Sequence, residues 1–137
     1  MGELDGKTAL ITGGNSGIGL ETARTFVEEG ARVAVVGRDQ DKLDDVRAEL
    51  GDPHRAYSAD VREVDELEDV FSDVADRFDG LDVLFANAGV TRPCPFEDAD
   101  EDHLDQQMAI NFKGTFFTVQ KALPEMSEGG SVVITTS

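Results

Sequence analysis

The sequence predicts an α/β protein built on a doubly wound, parallel β-sheet with helices on both faces. Short apolar, β-branched runs alternate with segments of helical periodicity along all 137 residues. Repeated βα units of this kind produce parallel strands joined by right-handed crossovers. A glycine-rich turn directly follows the first apolar run, at residues 12–19. No repeat, linker or low-complexity tract interrupts the pattern, so residues 1–137 are interpreted as one domain.

The predicted strands are apolar runs bounded by glycine, proline or polar residues. They cover residues 7–12, 32–37, 55–59, 81–87 and 131–136. The predicted helices carry apolar side chains at intervals of three and four residues, and they cover residues 17–30, 39–50, 64–78 and 102–123. Gly30 closes the first helix and Pro124 stops the last one. Pro93 and Pro95 indicate a loop over residues 88–99.

The chain is strongly acidic, and its negative charge limits which macromolecules and membranes it is expected to bind. The chain has 29 acidic and 12 basic residues, which gives a net charge of −17. Nucleic acid and anionic membranes are therefore excluded as expected partners. Self-repulsion of such a surface is screened at high salt, which favours a salt-loving source over a protein that is merely very soluble.

Short sequence features indicate where in the cell the protein is expected and whether it has disulfides or a metal site. No apolar stretch approaches the ~20 residues of a membrane span. The first residues are acidic rather than basic and apolar, so a cytoplasmic location is expected. Cys94 is the only cysteine, which excludes an internal disulfide, and no metal-binding pattern is evident.

The glycine turn predicts phosphate binding. Its spacing is Gly13-x-x-x-Gly17-x-Gly19, between a strand and a helix. Glycines let the backbone approach a pyrophosphate closely, and the N–H groups of the helix start point at the anion. Ile18 is also expected on the packed face of this helix. The alternative is a glycine-rich βα loop without a ligand.

Further landmarks follow the glycine turn in order: Asp60-Val61 after the third strand, Asn87-Ala88-Gly89 after the fourth, Asn111 in the long helix and Ser137 at the end of the fifth strand. Together with the glycine turn, they resemble the landmarks of the short-chain dehydrogenase/reductase family along the whole chain. That resemblance implies a five-stranded sheet in the order 3-2-1-4-5. It also implies a cofactor site made by Thr12, Gly13, Asn15, Ser16, Gly17, Ile18, Gly19, Arg38, Asp60, Val61, Asn87, Ala88 and Gly89. Within this set, Asp60 and Val61 resemble the pair that contacts adenine. Asn111 matches the helix asparagine that helps to hold a proton-relay water, and Ser137 matches the catalytic serine.

Several of these residues have simpler alternatives. Asp60 could cap the following helix, and Thr12 could brace the turn without touching a ligand. Asn111 could be an ordinary exposed polar residue in a helix. Ser137 could be part of a frayed terminus.

The cofactor preference depends on the end of the second strand. An acidic residue there would accept a hydrogen bond from the ribose 2′-hydroxyl and favour NAD. Gly37 occupies that position and Arg38 follows it, and an arginine can hold a 2′-phosphate. NADP is therefore favoured, with NAD possible, because Asp39 and Asp41 could repel a phosphate or pair with Arg38.

One family motif is absent. The family's general acid/base is a tyrosine in a Tyr-x-x-x-Lys motif beyond the serine, whereas the only tyrosine here is Tyr57, with Val61 four residues later. The chain is therefore interpreted as the cofactor-binding half of an enzyme that interconverts alcohols and carbonyls of small molecules, itself predicted to be inactive. The alternatives are a nucleotide-binding or self-assembling module and, less favoured, a methyltransferase. A homo-oligomer is expected, formed through the helix at 102–123 and the last strand.

Overall fold

The computed structural model describes residues 2–90 and 92–135. Its strands are β1 (Thr8–Thr12), β2 (Arg32–Gly37), β3 (Arg55–Ser58), β4 (Leu81–Ala86) and β5 (Met126–Ile134). Its α-helices are α1 (Gly17–Glu28), α2 (Gln40–Leu50), α3 (Val64–Phe78), α4 (Glu101–Met108) and α5 (Thr115–Ala122). The strands form one parallel sheet in the order β3-β2-β1-β4-β5. The predicted fold class and strand order are confirmed.

Side-chain alternation along β1 divides the core into two layers. All five residues of this central strand are buried. Ile11 packs on one face of the sheet with Ala23 of α1 and Leu43 of α2. Leu10 packs on the opposite face with Leu67 of α3. Successive residues of a strand point to opposite faces, which explains why a strand buried on both sides reads as a continuous apolar run.

The first helix differs from the sequence prediction in one position. Gly30 has φ +94° and follows the helix end, as predicted. Ile18, however, is 70% exposed, and the buried residues of α1 are Gly19 and Ala23. The prediction that Ile18 lies on the packed face is wrong, because Gly19 brings the first turn of the helix directly against the glycine turn and leaves Ile18 facing outward.

The helix predicted over residues 102–123 is interrupted by a wider turn. A π-helical segment, Ala109–Gly114, joins α4 to α5 without leaving the helical region of backbone angles. A Cβ at Gly114 would lie 2.8 Å from Cγ2 of Val61. Glycine at this position therefore lets the helix approach the segment after β3, close to the point where Asn111 is displayed.

The last strand begins earlier than predicted. β5 starts at Met126 rather than at 131, and its pairing with β4 shifts register between Leu81 and Val83. Val132, Val133 and Ile134 are 39%, 52% and 45% exposed. These apolar side chains lie on an edge of the sheet, because β5 pairs only with β4 among the described strands.

Candidate functional site

A cleft of about 420 Å³ lies at the carboxyl ends of β1, β2 and β4. This is the edge of a doubly wound sheet where ligands bind. The predicted cofactor residues that line the cleft are Gly13, Asn15, Ser16, Arg38, Asp60, Val61, Asn87, Ala88 and Gly89. Segments far apart in sequence thus converge on one cavity, of a size suited to a small ligand.

The glycine turn forms one wall of the cleft. Gly13 and Gly17 have φ values of +66° and +55°, a left-handed conformation that favours glycine. Gly19 is required for a different reason. A Cβ there would lie 2.2 Å from the carbonyl oxygen of Gly13 and 2.7 Å from Nδ2 of Asn87. The start of α1 therefore packs directly on the turn and on the end of β4.

The amino end of α1 faces the cleft through Ser16. This residue is the N-cap, with extended backbone angles, and its side chain makes no capping hydrogen bond. The first N–H groups of a helix have no partner within the helix, and they carry the positive end of its dipole. The arrangement is suited to an anion such as a pyrophosphate. Gly17 and Ile18 lie outside the cleft lining, along an adjoining surface of α1.

Thr12 is buried and braces the site from behind. Its Oγ1 accepts hydrogen bonds from the backbone N–H groups of Asn87 (3.0 Å) and Ala88 (3.1 Å). The hydroxyl thus joins the end of β1 to the segment after β4. This contact is the bracing alternative considered from the sequence, and the predicted contact of Thr12 with a cofactor stays a prediction.

Asp60 is held by Arg62 at the far side of the cleft. The Asp60 carboxylate accepts from the Arg62 backbone N–H (2.9 Å) and from its guanidinium, with the shortest side-chain distance 2.6 Å. These hydrogen bonds hold the pKa of Asp60 below its usual value, so the group is ionised at neutral pH. The N-cap of α3 is Glu63, and the interpretation of Asp60 as the cap of that helix is therefore wrong.

The end of β2 presents basic side chains to the cleft. Arg38 lines it as predicted, and Lys42 of α2 lines it too, a residue that the sequence analysis missed. The available signal was its position four residues after Arg38, in the first turn of the next helix. A Cβ at Gly37 would lie 2.5 Å from Nδ2 of Asn15, so the Asn15 amide fills the space beside Gly37.

A second hollow, of about 580 Å³, adjoins the first through residues 87–90. Asn111 lies here, and its side chain pairs with the backbone of Val90: Oδ1 accepts from the N–H and Nδ2 donates to the C=O, both at 2.8 Å. The Thr135 hydroxyl donates to Oδ1 of Asn87 at 2.9 Å. Asn111 therefore fixes the segment after β4, and its predicted part in holding a water stays a prediction. Ser137 lies outside the described residues.

Tyr57 does not belong to either hollow. It lies on β3, and its hydroxyl donates to the carboxylate of Asp73 on α3. Burial, followed by this carboxylate, raises the pKa of Tyr57. The side chain is thus a brace between an edge strand and a helix, separate from the cleft residues.

In the ranges 2–90 and 92–135, no group of three or more His, Cys, Asp or Glu side chains is placed to hold a metal ion. No helix in that part of the chain has the length and apolar content needed to cross a bilayer.

Comparison with known proteins identifies relatives along nearly the whole chain. The oxidoreductase asL5 of Sarocladium schorii is 43% identical over 136 residues, which is 98% of this chain and 55% of that protein. Short-chain dehydrogenase reductase 3b of Arabidopsis thaliana is 40% identical over 139 residues, 98% of this chain and 54% of its own. The chain therefore spans about half the length of the curated relatives it matches.

Solved structures show the same fold. A short-chain dehydrogenase/reductase from Brucella melitensis, described as a glucose/ribitol dehydrogenase, superimposes with a TM-score of 0.93 at 31% identity, over 97% of this chain and 57% of that one. A short-chain dehydrogenase from Burkholderia cenocepacia, solved in complex with NADP, gives 0.88 at 33% identity, over 98% and 56% of the two chains. The family model for short chain dehydrogenases matches residues 7–137. The chain belongs to the short-chain dehydrogenase/reductase family.

Proposed function

We propose that this chain binds NADP(H) and forms the cofactor-binding part of an oxidoreductase that interconverts alcohol and carbonyl groups of a small molecule. The observation that carries the proposal is the cleft itself. It combines a glycine turn, a helix N-terminus and the Arg38 side chain at the carboxyl edge of a parallel sheet. The related Burkholderia cenocepacia dehydrogenase was solved with NADP, which supports the same ligand class here.

The described residues fit a dinucleotide. The close approach at Gly19 leaves no room for a side chain between the turn and α1, as expected where backbone must reach a pyrophosphate. The turn and Ser16 would hold the pyrophosphate, Asp60 and Val61 the adenine, and Arg38 a 2′-phosphate. Residues 87–89 would line the part of the cofactor nearest to Asn111. The bound cofactor supplies the hydride chemistry. The chain's own residues would position the cofactor and balance the negative charge of its phosphates.

Titration calorimetry in molar KCl tests this proposal. NADP⁺ is expected to bind the 137-residue chain more tightly than NAD⁺, and Arg38→Glu should reduce or reverse that preference. Lys7→Glu is the matched control, because it changes the charge equally but lies before β1, at the opposite end of that strand from the cleft. Equal affinity of the parent chain for the two cofactors would contradict the NADP assignment.

We further propose that the chain associates with itself in solution. Leu104, Met108, Phe112 and Phe116 are spaced four residues apart along α4, the π-helical segment and α5, and each is at least half exposed. A stripe of this kind is an interaction surface more often than a solvated one. Light scattering in molar KCl should show a mass above the monomer that Met108→Glu reduces. Phe96→Glu, in a loop outside the stripe, is the charge-matched control, and a monomeric parent chain would refute the proposal.

A saline, cytoplasmic setting completes the proposal. The chain has 29 acidic and 12 basic residues, and many of the acidic ones lie at exposed positions of the helices. Counter-ions at high concentration would offset the mutual repulsion of these groups.

A further inference from the structure

Lys42 lines the cleft and forms no ion pair with a carboxylate of the described residues, although the chain is strongly acidic. It lies in the first turn of α2 and lines the cleft together with Arg38, and both side chains are exposed. The ion pairs found among the described residues use other cations: Arg24, Arg47, Arg55, Arg62, Arg77 and Lys121. Of the cations outside those pairs, only Arg38 and Lys42 line this cleft.

Two acidic residues also line this cleft, Asp39 and Asp60. Asp39 lies between the two basic residues in sequence, but its Oδ1 accepts from the backbone N–H of Lys42 at 3.2 Å and caps α2. The capping contact fixes Lys42 at the third position of the helix. Asp60, across the cleft, is neutralised by Arg62 at 2.6 Å. Of the two carboxylates in the cleft lining, Asp60 is thus ion-paired with Arg62, and Asp39 is held by its capping hydrogen bond at the start of α2.

β2 does not end in the acidic side chain that would accept a hydrogen bond from the 2′-hydroxyl of an unmodified ribose. Gly37 ends β2, and the Asn15 amide occupies the position where its side chain would begin, with 2.5 Å between Nδ2 and the hypothetical Cβ. A carboxylate at Gly37 that accepts from a 2′-hydroxyl would thus require Asn15 to move. Arg38 directly follows the position where NAD-specific sites place an acidic residue, and Lys42 lies one helical turn further on.

We propose that Lys42 is a specificity-determining residue, which acts with Arg38 as a two-cation clamp on the 2′-phosphate of NADP. This inference rests on the proposed NADP binding and adds to it a second residue and a structural cause. The Asp39 cap fixes the start of α2, and the start of α2 fixes the stem of Lys42. A lysine interacts with a phosphate as a point charge, so it needs proximity rather than the planar geometry of an arginine.

The test compares ligands that differ only in the 2′-phosphate. Affinities of 2′,5′-ADP and 5′-AMP, and of NADP⁺ and NAD⁺, are measured by calorimetry on the 137-residue chain and on Lys42→Ala. The variant should bind 2′,5′-ADP and NADP⁺ about tenfold more weakly, the loss of one charge-assisted contact. Its affinity for 5′-AMP and NAD⁺ should change less than twofold. Lys7→Ala is the control for loss of a positive charge far from the cleft, and circular dichroism checks that each variant is folded.

The outcomes separate the two proposals. A parent chain that prefers NADP⁺, with Lys42→Ala unchanged or equally weakened for phosphorylated and unphosphorylated ligands, would overturn the role of Lys42 and leave NADP binding intact. A parent chain that binds none of the four ligands would overturn NADP binding and the clamp together. A loss confined to the two ligands with a 2′-phosphate would establish the clamp.

Discussion

Gly19→Ala is the substitution with the most sharply defined consequence in this structure. The new Cβ would lie 2.2 Å from the carbonyl oxygen of Gly13, and Cβ contacts shorter than 3.0 Å are essentially never seen. The turn and the helix must therefore separate by several tenths of an ångström at least. Nδ2 of Asn87, at 2.7 Å, closes the other direction. The obstacle on one side is backbone, which a rotamer change cannot relieve.

The expected change in the free energy of unfolding combines two opposing contributions. Overpacking a tight contact costs about 1–3 kcal/mol. Replacing glycine by alanine in a helix returns about 0.5–1 kcal/mol. We therefore expect a net loss of about 1–2 kcal/mol in the free energy of unfolding, which lowers Tm by about 3–7 °C for a chain of this size. Displacement of the Gly13 carbonyl should also weaken NADP⁺ binding by about tenfold or more, since the turn is the proposed pyrophosphate site.

Thermal melts followed by circular dichroism and calorimetric titration measure both effects. The matched control is Gly17→Asn, in the same turn. Gly17 has φ +55° with no atom within 4 Å of a hypothetical Cβ, so its constraint is conformational only. Asparagine tolerates the left-handed region, so Gly17→Asn should melt close to the parent chain. A Gly19→Ala variant that keeps both the Tm and the NADP⁺ affinity of the parent would refute the reasoning.

Three further predictions follow from charge and chemistry. Tm should rise from low salt to molar KCl because the net charge of −17 opposes compaction unless screened, and a flat response would leave solubility as the explanation of the acid excess. Nδ1 of His54 accepts a hydrogen bond from the backbone N–H of Val33, and burial lowers the pKa of His54. The unfolded state therefore takes up a proton more readily than the folded state, and the free energy of unfolding should fall as pH drops below about 6.5. Urea unfolding measures this effect, and the urea midpoint should depend less steeply on pH in His54→Gln than in the parent chain. The 137-residue chain should show no dehydrogenase turnover when cofactor absorbance is followed, because the hydroxyl of Tyr57 is hydrogen-bonded to Asp73 away from the cleft. Turnover that survives repurification and disappears in Ser137→Ala would contradict this prediction.

The elements that could be predicted are those whose signals are local. A strand, a positive-φ glycine turn and a helix start follow one another within residues 8–28, so each confirms the reading of the next. The strand order needed the family resemblance, because alternating βα units are compatible with more than one order. Arg38 was identifiable because it directly follows a strand end, where a parallel sheet places its ligand-binding residues.

The features that were missed depend on tertiary contacts. Lys42 lines the cleft from the first turn of α2, whose start is capped by Asp39 and which follows a strand paired with β1. The pairing of Asp60 with Arg62 is a contact between neighbours in sequence, yet nothing in the sequence says which of several nearby acids Arg62 selects. The π-helical segment arises where the helix meets Val61 and Val90, two loops that a periodicity pattern cannot see.

The charge of the cleft explains how so acidic a chain could attract an anionic cofactor. At ~0.1 M salt the Debye length is about 10 Å, so acidic groups over much of the surface would repel a dinucleotide during its approach. At ~1 M the length falls to about 3 Å, and mainly groups in direct contact still act. Within the cleft, Asp60 is paired and Asp39 is used as a helix cap, whereas Arg38 and Lys42 have no carboxylate within ion-pair distance among the described residues. High salt would thus remove the long-range repulsion and retain much of the short-range attraction, so an acid excess that we expect to lower stability in dilute buffer is compatible with anion binding in a saline one.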